Sequence, residues 1–263
     1  MSTILVRPMN SSSTARLLVL AAAVLAAPWA RADGLAELKA ALARLPAQTP
    51  LKATLDVKTM DRHGEGATAQ EKAGLASVGL DDGVRGLQVL YARDTLARLD
   101  AESRQLAHDA SAKTPTAWAL GKLESGEMVT MASAAPALSR HLDEVVFKGE
   151  KVDAWGGKPA RLLTFTLPIE KLPEQQRKYV KEFESTLSVW IGADGTPLAT
   201  ATRTNAKGRA FVVVTFESLE ESSSTYGVQG DRLVILRSES HTTSSGAGEH
   251  GEQRVVKTLQ PLG

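Results

Sequence analysis

The sequence predicts an α+β protein built on one large, curved antiparallel sheet of about eleven strands, an open half-barrel with helices covering its concave side. Three observations carry this prediction. Runs of strict apolar–polar alternation recur along most of the chain, as half-buried strands require. Gly, Asp and Asn clusters punctuate them at hairpin distance. One block, residues 93–143, switches to helical spacing, with strands on both sides of it.

The elements follow in order. Gly34 to Leu45 places Leu35, Leu38, Leu42 and Leu45 on one helical face, and Pro46 closes that helix. Leu51, Ala53, Leu55 and Val57 alternate with Lys52, Thr54, Asp56 and Lys58 as a strand. Asp61 to Gly66 is its turn, and Ala67 to Leu80 returns with a parity switch near Gly74 that predicts a bulge. Asp81-Asp82-Gly83 turns the chain into Leu87, Val89 and Tyr91. Arg93 to His108 is a helix carrying Leu96, Leu99 and Leu106. Thr114-Pro115, a cap followed by proline at the first helical position, opens a short second one with Trp118, Leu120 and Leu123. A third helical stretch, from about Glu127 to Leu142, is broken near Pro136.

Strands resume with Val145 to Ala154, the turn Trp155-Gly156-Gly157-Lys158, and Arg161 to Leu167. A charged helical turn, Pro173 to Lys181, precedes the alternating Phe183, Leu187, Val189 and Ile191. Asp194-Gly195 supplies a hairpin turn, Leu198 to Thr204 returns, Asn205 to Gly208 turns again, and Ala210 to Glu217 is a further strand. Ser222 to Val228, Leu233 to Glu239 and Gln253 to Leu259 complete the sheet, with a flexible Gly- and Ser-rich loop from Ser244 to Gly251. The alternation turns Leu187, Val189 and Ile191 toward the helices and Trp190 to the opposite face.

Arg7 and Arg16 precede an apolar run from Leu17 to Ala27, and Ala30-Arg31-Ala32 follows as a small-x-small site. These are the parts of a secretory signal peptide, residues 1–32, cleaved after Ala32; the run is too short for a membrane-spanning helix. The remainder, 33–263, reads as a single domain with no transmembrane segment. Removing 1–32 takes away three arginines and no acids, so 28 Lys and Arg stand against 30 Asp and Glu, a net charge of −2. That balance lacks the basic excess of a nucleic-acid binder. The chain has no cysteine, which excludes disulfides, thiolate metal sites, a cysteine nucleophile and a lipid-modified N-terminal cysteine. The expected location is the periplasm, with full secretion as the alternative.

Catalytic signals are missing where they would be sought. There is no Gly-x-Ser-x-Gly elbow, no His-Glu-x-x-His run, and no Gly-Lys-Ser/Thr ending to the glycine-rich stretch at Ser244–Gly248. His141 and Glu144, spaced i, i+3, read as a helix-surface pair, and His241 and His250 flank the predicted loop. The chain is therefore expected to be non-enzymatic, with no catalytic residues, metal or cofactor.

Export, an opening helix, a long antiparallel meander and a helical insertion between early and middle strands resemble the periplasmic carriers of the LolA type and their lipid-binding relatives. The resemblance lies in the order of elements, with no motif matched. It implies an apolar space between sheet and helices that holds the acyl chains of a lipid or lipoprotein. The residues expected to line it are Leu87, Val89, Leu163, Phe165, Leu187, Val189, Val212 and Val214 from strands, with Trp118 and Leu120 from the helical lid. Lipid or an acylated ligand is the expected partner, together with an outer-membrane or periplasmic protein. The alternative is an interaction or sensor protein with the same fold and a filled core, reading a protein partner at an exposed sheet edge.

Overall fold

A computed structural model describes residues 33–66, 69–210 and 214–262. The predicted signal peptide lies outside them. Among the described residues there are ten strands in one antiparallel sheet, not closed into a barrel, and six helices. The helix α1 (Gly34–Ala43) leads into β1 (Leu51–His63), β2 (Gln70–Gly83) and β3 (Gly86–Leu90). Four helices follow: α2 (Arg93–His108), α3 (Pro115–Leu120), α4 (Ser125–Ala132) and α5 (Ala135–Glu144). The chain then runs through β4 (Val146–Trp155), β5 (Lys158–Thr166), the four-residue α6 (Glu174–Arg177) and β6 (Val180–Ile191). It ends with β7 (Pro197–Ala210), β8 (Val214–Gln229), β9 (Arg232–Gly246) and β10 (Glu249–Pro261).

Strand order across the sheet is β3-β2-β1-β10-β9-β8-β7-β6-β5-β4. The first and last strands in sequence are thus neighbours at mid-sheet, and the helical segment 93–144 connects the two outer edges. Asp33 caps α1 through Ala36 N, at 3.2 Å. That helix buries Leu38, Ala41 and Leu42, the face its leucine spacing predicts. On β6, Leu187, Val189 and Ile191 are buried toward the helices. Trp190 sits on the other face, packed against Trp155 with ring centroids 4.9 Å apart and planes tilted by 41°, and donating from Nε1 to Asp153 at 3.2 Å. The predicted register therefore holds.

Four expectations are corrected. The Asn205–Gly208 segment is not a turn, because β7 runs on to Ala210 in continuous register with β8. Gly208 is there for closeness: a Cβ would strike the Tyr179 carbonyl and the Phe216 ring. Ala210 to Glu217 and Ser222 to Val228 accordingly do not form two strands; β8 runs unbroken from Val214 to Gln229, and the count falls from about eleven to ten. No bulge occurs at Gly74, where β1 and β2 pair without a register shift. Its missing side chain instead lets α3 rest on β2, since a Cβ would meet the Pro115 carbonyl and would lie 3.0 Å from Ala119 N. Finally, Ser244 to Gly251 is no flexible loop: β9 and β10 pair through it, and Ala247 and Gly248, with φ of 54° and 82°, make a two-residue turn.

Candidate functional site

The sheet's helix-facing side carries one continuous apolar layer. From β1 and β2 it takes Leu55, Val78 and Leu80; from β9 and β10, Leu233 and Leu259; from β5 and β6, Leu163, Phe165, Leu187, Val189 and Ile191. The helices lay Leu38 and Leu42 of α1, Met128 and Met131 of α4, and Leu138 and Leu142 of α5 against it. Seven of the ten expected lining residues join this layer. Leu163, Phe165, Leu187 and Val189 are at most 4% exposed, and Leu87, Val89 and Leu120 pack on its margin.

The other three stand elsewhere. Val212 lies outside the described residues, and Val214 is placed by its backbone alone, opposite Ala210 at the start of β8. Trp118 sits at the rim, its ring 3.6 Å from Lys72 Nζ and 4.4 Å from Lys122 Nζ, a cation–π arrangement. Its Nε1 is buried without an acceptor among the described residues.

Polar anchors ring the apolar layer and tie the helices to the sheet. Lys122, just past α3, reaches Asp61 of β1 at 3.1 Å, and Gln253 donates to the same carboxylate at 3.3 Å. Lys257 of β10, buried, pairs with Glu127 of α4. Arg232 of β9 pairs with Asp82 of β2 at 2.6 Å and donates to the carbonyls of Ala132 and Thr49. Glu102 of α2 accepts from Thr116 N and Ala117 N at 2.8 and 2.9 Å, and so caps α3. Burial pushes the Glu102 carboxyl up, but the hydrogen bonds from Ala117 and Thr116 together outweigh it and hold it below its ordinary range. Such buried pairs fix how the helices seat more than they stabilise the seat, because desolvation offsets most of the Coulomb gain.

Models of protein families, curated proteins and solved structures yield no match to this chain. The site must therefore be read from its own chemistry. No helix among the described residues is long and apolar enough to cross a membrane, and no group of three His, Cys, Asp or Glu among them could hold a metal ion. His141 and Glu144 form an exposed pair at 3.9 Å on α5, and His241 bonds Glu252 at 3.0 Å.

The open clefts lie mostly on the sheet's other face. One, of about 640 Å³, is bordered by Thr186, Ser188, Arg203, Glu221 and His241, which alternate with the inward residues. Its charges are largely paired across strands, Arg203 with Glu221 for example. None of the eight expected lining residues whose side chains are described borders this cleft or the four others described. Sequence reading missed the roof side chains Met128, Met131, Leu138 and Leu142, although Met128 and Met131 stand three apart on α4 and Leu138 and Leu142 four apart on α5, the helical signal that could have found them.

Proposed function

We propose that this protein is an exported, non-enzymatic binding protein that takes an acyl chain, from a lipid or an acylated partner, between its sheet and its helical roof. The observation that carries the reading is the pairing of a largely apolar floor with a roof of short helices. Buried residues of β5, β6 and β9 share one apolar cluster with α1, α4 and α5, none of these helices longer than ten residues. Neither α4 nor α5 has a side-chain hydrogen bond at its N-cap. Short, uncapped helices sit at the low end of local stability, where movable covers are drawn from. Met128 and Met131, which adapt to irregular contacts, form part of the roof. Each methylene transferred from water to that layer would contribute about 0.8 kcal/mol, so a modest parting of roof and floor suffices for affinity.

The order of elements, with the helical segment between β3 and β4, is what suggests the LolA-type carriers. A periplasmic location belongs to the same proposal. The test is to isolate the protein from its native envelope, weigh it under non-denaturing conditions, and titrate it with a fluorescent long-chain fatty acid. A bound mass in the lipid range, or saturable uptake displaced by unlabelled acyl chains, supports the reading. A clean apo mass with no uptake refutes it and leaves the filled-core interaction protein.

A further inference from the structure

Among the described residues the sheet ends on one side at β4, which pairs with β5 and with no other strand. An edge of this length is a template for strand addition unless it is blunted. The blunting here is confined to one end: the register breaks between Phe147 and Gly149, and from Glu150 to Trp155 the strand is regular. Within that regular stretch Val152 is 87% exposed, although it shares its face with the buried Leu163 layer. A bare valine at the centre of a free, regular edge is the strand's least explained feature.

We propose that β4 is an interface between two copies of this chain, paired antiparallel about a two-fold axis passing between the two Val152 residues. The register follows from the sequence by elimination. In a two-fold antiparallel pair, inward residues (Glu150, Val152, Ala154) must face inward residues, and outward ones (Lys151, Asp153, Trp155) outward ones. Centring on Glu150, Lys151 or Asp153 sets a like charge directly against itself, and centring on Ala154 carries Val152 and Lys151 out against the Gly156–Gly157 turn with no acid opposite the lysine. Centring on Val152 joins valine to valine, places Lys151 of each copy opposite Asp153 of the other, and sets Glu150 against Ala154. Gly149 meets Trp155, so the irregular end lies outside the paired stretch.

Lys151 is exposed, and Asp153, though it accepts from Trp190, keeps one side toward solvent. Val152 is uncovered by its own chain on the helix side. Two copies so joined would continue one sheet into the next, with both helical layers on the same face.

The native chain should sediment as a concentration-dependent dimer. Since it contains no cysteine, Val152→Cys introduces a lone thiol at the axis and should form an inter-chain disulfide rapidly under mild oxidation. Val84→Cys, fully exposed at the β2–β3 turn, should not. Lys151→Asp and Asp153→Lys should each weaken self-association about tenfold, and mixing the two variants should restore it, because each then meets its opposite. That rescue also separates loss of pairing from loss of folding. A chain that stays monomeric to about 1 mM, whether β4 is bare or taken by another polypeptide, overturns the proposal. So does a dimer indifferent to both charge variants, or cross-linking at Val152 no faster than at Val84.

Discussion

Gly74→Ala sets two principles against each other, and the structure decides the sign. Replacing a strand glycine by alanine ordinarily gains about 0.5–1 kcal/mol by restricting the unfolded chain. Here the new methyl would run into the Pro115 carbonyl and stand 3.0 Å from Ala119 N and 3.1 Å from Ala119 Cβ. Two of those atoms are backbone, so a side-chain rotation cannot relieve them; α3 must lift from β2. A withdrawal of roughly 0.5–1 Å forfeits a quarter to a half of the dispersion energy across such a contact. The contact in question joins Val57, Ala76, Ala119 and Val255, with Leu120 and Leu123 beside them.

Overpacking of this kind costs about 1–3 kcal/mol, so a net loss of about 2 kcal/mol is expected, a fall in Tm of about 4–8 °C for a domain of this size. Urea and thermal unfolding would measure it. Gly126→Ala, at an open helical position with no atom in the way, is the control and should gain up to about 1 kcal/mol. If Gly74→Ala is neutral or stabilising, α3 does not rest on β2 as described. If the roof admits acyl chains, the same variant should also raise the rate of fatty-acid uptake.

Three further outcomes follow from the anchors. Glu127→Ala strands the Lys257 ammonium, 7% exposed, and should cost about 3 kcal/mol, whereas Glu127→Leu with Lys257→Met should return within about 1 kcal/mol of the parent in urea unfolding. Asp231 accepts from Gln48 N and Thr49 N at 2.8 Å. Hydrogen bonds from Thr49 and Gln48 hold its carboxyl at about 2, below the usual 3.8. Its contribution is therefore complete above about pH 4 and lost as pH falls through about 2, and Asp231→Asn should flatten Tm against pH in that window. Burial pushes the Tyr226 phenol above its usual 10, partly offset by its hydrogen bond with Thr200 at 3.0 Å. Native stability should thus fall as pH rises past 10, and Tyr226→Phe should remove that slope at a cost of about 1 kcal/mol near neutrality.

Where local chemistry and tertiary contact agree, the chain is legible. Gly156 and Gly157 turn at φ of 57° and 76° between β4 and β5, as their pairing announces. The Arg93–His108 helix begins and ends where its pattern does. The inward set Leu187, Val189 and Ile191 follows from alternation alone. Where glycine serves proximity instead of turning, reading fails. Gly74 and Gly208 look like a bulge and a turn, yet both make room for backbone or rings far off in sequence. Ser244, Ser245 and Gly246 look like the start of a loop but close a long ladder with β8, stabilised by pairing rather than burial. Trp118 reads as part of the lid from its place in the helical block; of the two lysines at its sides, Lys122 follows it by four residues, whereas Lys72 comes from β2 and leaves no local trace.

The placement of β10 bears on how this molecule can come into being. It is the last strand in chain order, yet it stands between β1 and β9 and joins the β1–β3 group to the β4–β9 group. Gln260 meets Asp56 across 204 positions, and Leu262 N reaches the Lys52 carbonyl at 2.8 Å. Until that strand is available, β1 has one open flank and the two groups share no ladder. Completion of the sheet is thus a late, long-range event, slow by its topology. A chain interrupted before β10 should remain two unjoined sheet fragments, open to proteases along the flank that the last strand would have closed.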